Sequence, residues 1–323
     1  MLPHRQSGFA PGLNRPAGTL VTPTESSPRE SNERRSCSPV HAAAFVEKLE
    51  SAEEEYAVGD LIGAERRLKD LQEHGSAIPP LLAARLLFAL ANVNAALARL
   101  SVADGYYQEC CQMLEAEVST TDPSLVPCLL NRGCLLVRRR RFRAAVYTLR
   151  RAWKISSSLL GAPRLALLRS RVLHALGTAY EGSKELAEAE AAYREALAAA
   201  EEDEKMVGTN REKIAIELSL AALLQARGNH EGAWKLLEVA RCSMRNRGGL
   251  PASEMAHVAG RAAISALATQ RNKQAKLALV DAVKRLCPSG SMPSPALLAE
   301  ASSLELARMA LAAQQATTAQ RSA

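Results

Sequence analysis

The chain has 323 residues, of which 47% are apolar and only 4% aromatic, with a formal charge of +7. Ala, Leu, Arg, Glu, Lys and Gln favour helix, whereas strands draw on β-branched and aromatic residues, so the composition predicts an all-α protein with no shortage of core. The 41 basic residues nearly balance against 34 acidic ones, which excludes the strongly basic profile of a dedicated nucleic-acid binder.

In chain order, residues 1–40 come first. They hold six of the fifteen prolines and show no apolar period, which predicts a disordered Pro/Ser/Arg-rich tail. Thr22-Pro23, Ser27-Pro28 and Ser38-Pro39 have the form of proline-directed phosphorylation sites, although such pairs are common in any tail of this kind. Prolines together with Glu25, Glu30 and Glu33 speak against a mitochondrial presequence. From about residue 41 a helical period begins and scarcely stops. Breaks rich in Gly, Pro and Ser mark off repeats at about 41–76, 79–118, 122–160, 163–202, 207–247 and 251–287. Each repeat has room for two helices and a short turn. The segment 294–315 reads as a helix without a partner, and 316–323 as a disordered end.

The blocks align. A small residue stands at Ala52, Ala91, Gly133, Gly177, Ala221 and Ala263. Twelve residues on stand Ala64, Ala103, Ala145, Ala189, Ala233 and Ala275, and sixteen on stand Leu68, Tyr107, Leu149, Tyr193, Leu237 and Leu279. Nineteen on come Leu71, Cys110, Ala152, Ala196, Ala240 and Ala282. Small residues let two antiparallel helices approach to the 8–10 Å at which helices pack. The large residue at sixteen is expected to fill the gap toward the next hairpin. A lone hairpin cannot bury its outer face, so the hairpins must stack.

This pattern resembles the tetratricopeptide repeat, with a small residue and an aromatic on the first helix and Ala–x₃–aromatic on the second. The successive periods of 39, 42, 44, 44 and 42 residues are similar to the long-repeat class seen in kinesin light chains. The resemblance implies an α-solenoid wound as a right-handed superhelix of six hairpins, with 294–315 as a C-terminal cap. It also implies a groove lined by first helices.

Candidate binding residues fall into two groups. The groove group is Asn92, Asn131, Cys134, Arg171, His174, Thr178, Leu218 and Gln225, set among apolar neighbours. Such a trough suits an extended peptide or an amphipathic helix. In chaperone-tail-binding repeats an Asn at the Asn131 position grips the peptide, and Asn92 and Arg171 match two further clamp positions. Phe88 and Ala175 stand where cations are needed, so a full carboxylate clamp, which works through charge-assisted hydrogen bonds, is not expected. The second group is Arg138, Arg139, Arg140, Arg141 and Arg143, in a stretch from 129 to 154 without one acidic residue. It predicts a positive edge for an acidic protein segment, against the alternative of a solvated face. It also fits a nuclear-import cluster or an RNA-associated repeat, but Phe142, Tyr147 and Trp153 fall at core-like spacing, where they are not available for base stacking.

Catalysis finds no support. His174 and His230 have no nucleophile at a motif spacing, and no phosphate-binding glycine loop occurs. The seven cysteines include no CxxC and pair with no histidine at zinc-site spacing, so they read as reduced thiols in a cytosolic setting. No cofactor or metal is expected, and no apolar run reaches a membrane span. The sequence predicts a non-enzymatic scaffold or adaptor in the cytoplasm, and the resemblance to the long-repeat class implies a place in motor-based transport or in a cilium or flagellum. The alternatives are an assembly factor gripping acidic tails and a nuclear or RNA-associated helical-repeat protein.

Overall fold

A computed structural model describes residues 39–74, 78–157, 163–207, 211–247, 252–275 and 277–278. The expected tail up to residue 38, the cap 294–315 and the end 316–323 lie outside these residues. Every regular element among the described residues is helical. The elements are α1 (Pro39–Val58), α2 (Leu61–His74), α3 (Pro80–Ala96), α4 (Leu100–Glu117), α5 (Leu125–Arg138), α6 (Phe142–Ser157), α7 (Pro163–Ser183), α8 (Leu186–Val207), α9 (Arg211–Ala226), α10 (His230–Arg247) and α11 (Ala252–Ala268). A further helical segment begins at residue 272. No helix among the described residues is long and apolar enough to cross a membrane.

Backbone contacts divide the chain into two units, parted between Met206 and Val207. In the first unit, α1–α2, α3–α4 and α5–α6 are antiparallel hairpins. Each second helix also packs on the next first helix, as α2 on α3, α4 on α5 and α6 on α7. The first helices α1, α3, α5 and α7 touch in succession and form a layer of their own. This is solenoid stacking, in which each hairpin is buried by its neighbours. In the second unit α10 packs on both α9 and α11.

The small positions act as the alignment predicts. Ala52, Ala91, Ala221 and Ala263 are fully buried, as are the six alanines twelve residues later. The residue at sixteen differs from expectation, because it closes its own hairpin. A methyl added at Gly133 would overlap the side chain of Leu149, and one added at Gly177 would lie 2.5 Å from the Tyr193 ring. The glycines thus make room for a large residue of the same hairpin. The gap to the next hairpin is filled in part by others, such as Phe142 of α6, whose ring lies against Gly182 of α7.

One turn recurs six times. Seven residues after each small position the backbone turns left-handed, at Gly59, Ala98, Arg140, Lys184, Gly228 and Gln270. The next residue donates its N–H five residues back, as Asp60 to Glu55, Arg99 to Asn94, Arg141 to Leu136, Glu185 to Tyr180, Asn229 to Leu224 and Arg271 to Ala266, all at 2.8–2.9 Å. This is the Schellman ending of a helix. That same residue then opens the second helix by accepting the N–H of the alanine at twelve, from Ala64 to Asp60 through Ala275 to Arg271. One residue therefore ends one helix and begins the next, which explains why the spacing from the small residue to that alanine never varies.

Candidate functional site

The groove residues expected from the sequence sit on first helices, and the structure turns several of them inward. Tyr107 of α4 donates its hydroxyl to Asn92 Oδ1 at 2.6 Å, and Asn131 Nδ2 donates to the same oxygen at 3.0 Å. All three side chains are buried. Tyr193 of α8 has a similar place, its hydroxyl donating to Glu181 Oε2 at 3.0 Å with Thr178 Oγ1 3.2 Å away. Burial pushes both phenols well above their ordinary pKa, so they remain donors. Phe88 packs edge-on to Tyr107 with ring centroids 6.1 Å apart, and His174, only 2% exposed, lies 5.8 Å from Tyr193. The tyrosine at sixteen therefore has an aromatic partner three residues before the small position and a polar partner one residue after it.

Asn131, expected from the sequence to grip a partner's backbone, is buried, and its amide joins α5 to α3 inside the hairpin stack. Gln225 and Leu218 have a similar place in the second unit. Gln225 Nε2 donates to Ser265 Oγ at 2.7 Å and to the Arg261 carbonyl at 3.1 Å, while Arg261 donates back to Gln225 Oε1 at 2.9 Å and to the Leu218 carbonyl at 3.4 Å. These bonds hold α9 to α11. Of the groove group, Cys134, Arg171, Thr178, Leu218 and Gln225 stay half-buried. Among them Cys134 and Thr178, with Val137 and Glu181, mark the partly open face of α5 and α7.

The arginine edge has a partner that lies outside its own stretch of sequence. Asp104 of α4 is buried and receives Arg132 Nε at 3.0 Å and Arg139 at 2.6 Å, with Arg141 at 3.8 Å. Arg138 donates to the Ala95 carbonyl at 3.1 Å. Arg138, Arg140, Arg141 and Arg143 remain exposed, and Arg139 is half-buried. The edge is thus partly a staple between the second and third hairpins. The same device appears at two other turns whose last residue is an arginine. Arg99 pairs with Glu65, and Arg271 pairs with Glu231 at 2.9 Å while lying 4.1 Å over the Trp234 ring. Glu65, Asp104 and Trp234 hold equivalent places on α2, α4 and α10.

Tyr147 departs from its expected place in the core. It is 77% exposed on α6, one helical turn from Arg143 and Arg151. Phe142 and Trp153 are half-buried. Among the described residues, no three of His, Cys, Asp and Glu converge as metal ligands would.

No family model matches the chain, and no curated protein matches it. Solved structures do. PilF of Pseudomonas aeruginosa is 20% identical, with a TM-score of 0.55 over 83% of this chain and 99% of that one. The TPR-like repeats of a putative kinesin light chain from Podosopora anserina are 16% identical, with a TM-score of 0.55 over 66% and 99%. A Rap protein solved in complex with Competence and Sporulation Factor is 15% identical, with a TM-score of 0.55 over 85% and 76%. At these identities the likeness is one of fold, and it agrees with the hairpins, turns and small-residue register found here. Among the described residues the fold is all-α, built of helical hairpins like those of these tetratricopeptide-like structures.

Proposed function

We propose that this chain is a non-enzymatic scaffold whose first unit holds a segment of a partner protein, extended or helical, against the open face of α5 and α7. The segment is acidic where it meets the arginine edge. The observation that carries this reading is the exposure of Arg138, Arg140, Arg141 and Arg143 around a single turn. Three arginines already converge on Asp104, so the surrounding field stays positive and attracts carboxylates. Arg171 adds a half-buried cation on α7. That a Rap protein of similar fold was solved with Competence and Sporulation Factor supports the idea of a fold built to hold a partner. The repeat period of 39–44 residues is similar to that of kinesin light chains, and on that analogy alone the partner belongs to motor-based transport or to cilium or flagellum assembly, in the cytoplasm. An assembly factor that grips acidic tails is the same surface put to another use.

Charge reversal tests the reading. Arg138→Glu with Arg140→Glu and Arg143→Glu spares Arg139 and Arg141, which serve the Asp104 staple. The expected result is loss of the partner recovered by affinity purification of the wild type, with helical circular dichroism retained. Recovery of the same partner at the same yield would overturn it. One observation favours a second reading, in which the surface meets single-stranded RNA. Tyr147 is exposed among arginines, and a base can stack on such a ring. Under that reading affinity falls by roughly 0.7 log units per log unit of salt for each phosphate contacted.

A further inference from the structure

The junction between the second and third hairpins holds three cysteines, of which Cys110 occupies a repeat position while Cys111 and Cys128 lie outside the repeat pattern. Cys110 and Cys111 lie near the end of α4, and Cys128 lies in the first turn of α5. All three are buried. Cys110 Sγ donates to the Ala84 carbonyl and Cys128 Sγ to the Tyr107 carbonyl, each at 3.3 Å. The sulfurs of Cys111 and Cys128 are 3.0 Å apart. A disulfide needs about 2.05 Å between sulfurs, so about 1 Å of closure separates the pair from a bond.

We propose that Cys111 and Cys128 form an oxidisable pair, and that hydrogen peroxide or a similar hydroperoxide converts it to a disulfide joining α4 to α5. The surroundings assign the roles. The adjoining Cys128 thiol, and then the Arg132 and Arg151 guanidiniums, favour the Cys111 thiolate over its burial and over the nearby Glu115, and its pKa falls. Burial, and then the neighbouring Cys110 and Cys111, push the Cys128 thiol up. Thiolate is the form that attacks a peroxide. Cys111 thiolate takes one peroxide oxygen, becoming a sulfenic acid, and the O–O bond breaks to release hydroxide. Cys128 sulfur then attacks the sulfenic sulfur. The S–O bond breaks, the thiol proton leaves with the departing hydroxide as water, and the S–S bond forms. In total two thiols and one peroxide give one disulfide and two waters. Cys128 is well placed as the resolving group because its sulfur already touches the attacked one. The bond would fix the spacing of the hairpins at the junction that also carries the Asn131–Asn92 contact and the Asp104 staple.

The sequence makes the test direct. Glu115 and Glu117 lie between the two cysteines, and no Lys or Arg does. The reduced full-length protein is treated with a small excess of hydrogen peroxide, alkylated, and cut with a Glu-specific protease without reductant. The expected result is that the fragments carrying Cys111 and Cys128 stay linked and separate on reduction. Cys110→Ser keeps the link, whereas Cys111→Ser and Cys128→Ser each lose it. The oxidised wild type should also melt at a higher temperature than the reduced one. Separate fragments with alkylated or over-oxidised Cys111 and Cys128 would overturn the proposal, as would a link that Cys110→Ser abolishes. The wild-type digest reads the outcome even if a serine variant folds poorly.

Discussion

Ala98 is held at φ 59° at the end of α3, in the left-handed region where a side chain is strained. Arg140, Lys184 and Gln270 occupy the same place in their hairpins, and only Gly59 and Gly228 are glycines there. Replacing Ala98 with glycine relieves the strain, while the unfolded chain gains some freedom that offsets part of the benefit. Ala98→Gly is therefore expected to stabilise the protein by about 0.5–1 kcal/mol, as read by denaturant or thermal unfolding. The same residues show what the sequence can and cannot reveal. Buried alanines at fixed spacing were legible because size alone sets helix approach. The turn was not, because four of its six left-handed positions carry residues that give no turn signal. Asn92 and Thr178 read as groove residues in the sequence. In the structure each lies within hydrogen-bond reach of the hydroxyl of a tyrosine fifteen residues later, a recurrence of Tyr with a polar residue that the sequence also carries.

Between helices, arginine–carboxylate pairs set how one hairpin sits on the last. Glu65 is nearly buried on α2, and the Lys69 ammonium, outweighing burial and joined by Arg99, holds its carboxyl below the ordinary range. A carboxyl with a lowered folded pKa stabilises the protein above its unfolded pKa of about 4.3 and loses that effect as pH falls through the folded value. The melting-temperature gap between wild type and Glu65→Gln should therefore be full at neutral pH and narrow on acidification below about pH 4.3. A gap that does not change with pH would assign the effect to packing instead. The arginine edge shows why charge read along the sequence misleads. The stretch 129–154 has no acid of its own, but Asp104 lies a whole repeat upstream and is brought beneath it by stacking.

At the scale of the molecule, contacts are made mainly between neighbouring hairpins, so stability is a sum of local terms. Damage in one unit should leave the other protected. Ala233 is fully buried between α9 and α10, and Ala233→Trp overpacks that hairpin, at a cost of about 1–3 kcal/mol or more. Amide hydrogen exchange should show lost protection in α9, α10 and α11 while α3 to α6 keep theirs. Uniform loss would mean that the two units unfold as one.

The staples between hairpins also have a direction. Arg85 reaches back to Glu53, Arg99 to Glu65, Arg139 to Asp104, Arg151 to Glu115 and Arg271 to Glu231. In each of these pairs the cation lies some thirty to forty residues after its anion. A ribosome therefore delivers the acceptor first, already seated on a finished hairpin, and the arginine arrives with the next one. The polypeptide can lock itself together in the order in which it is made, each newcomer hooking onto what has already emerged.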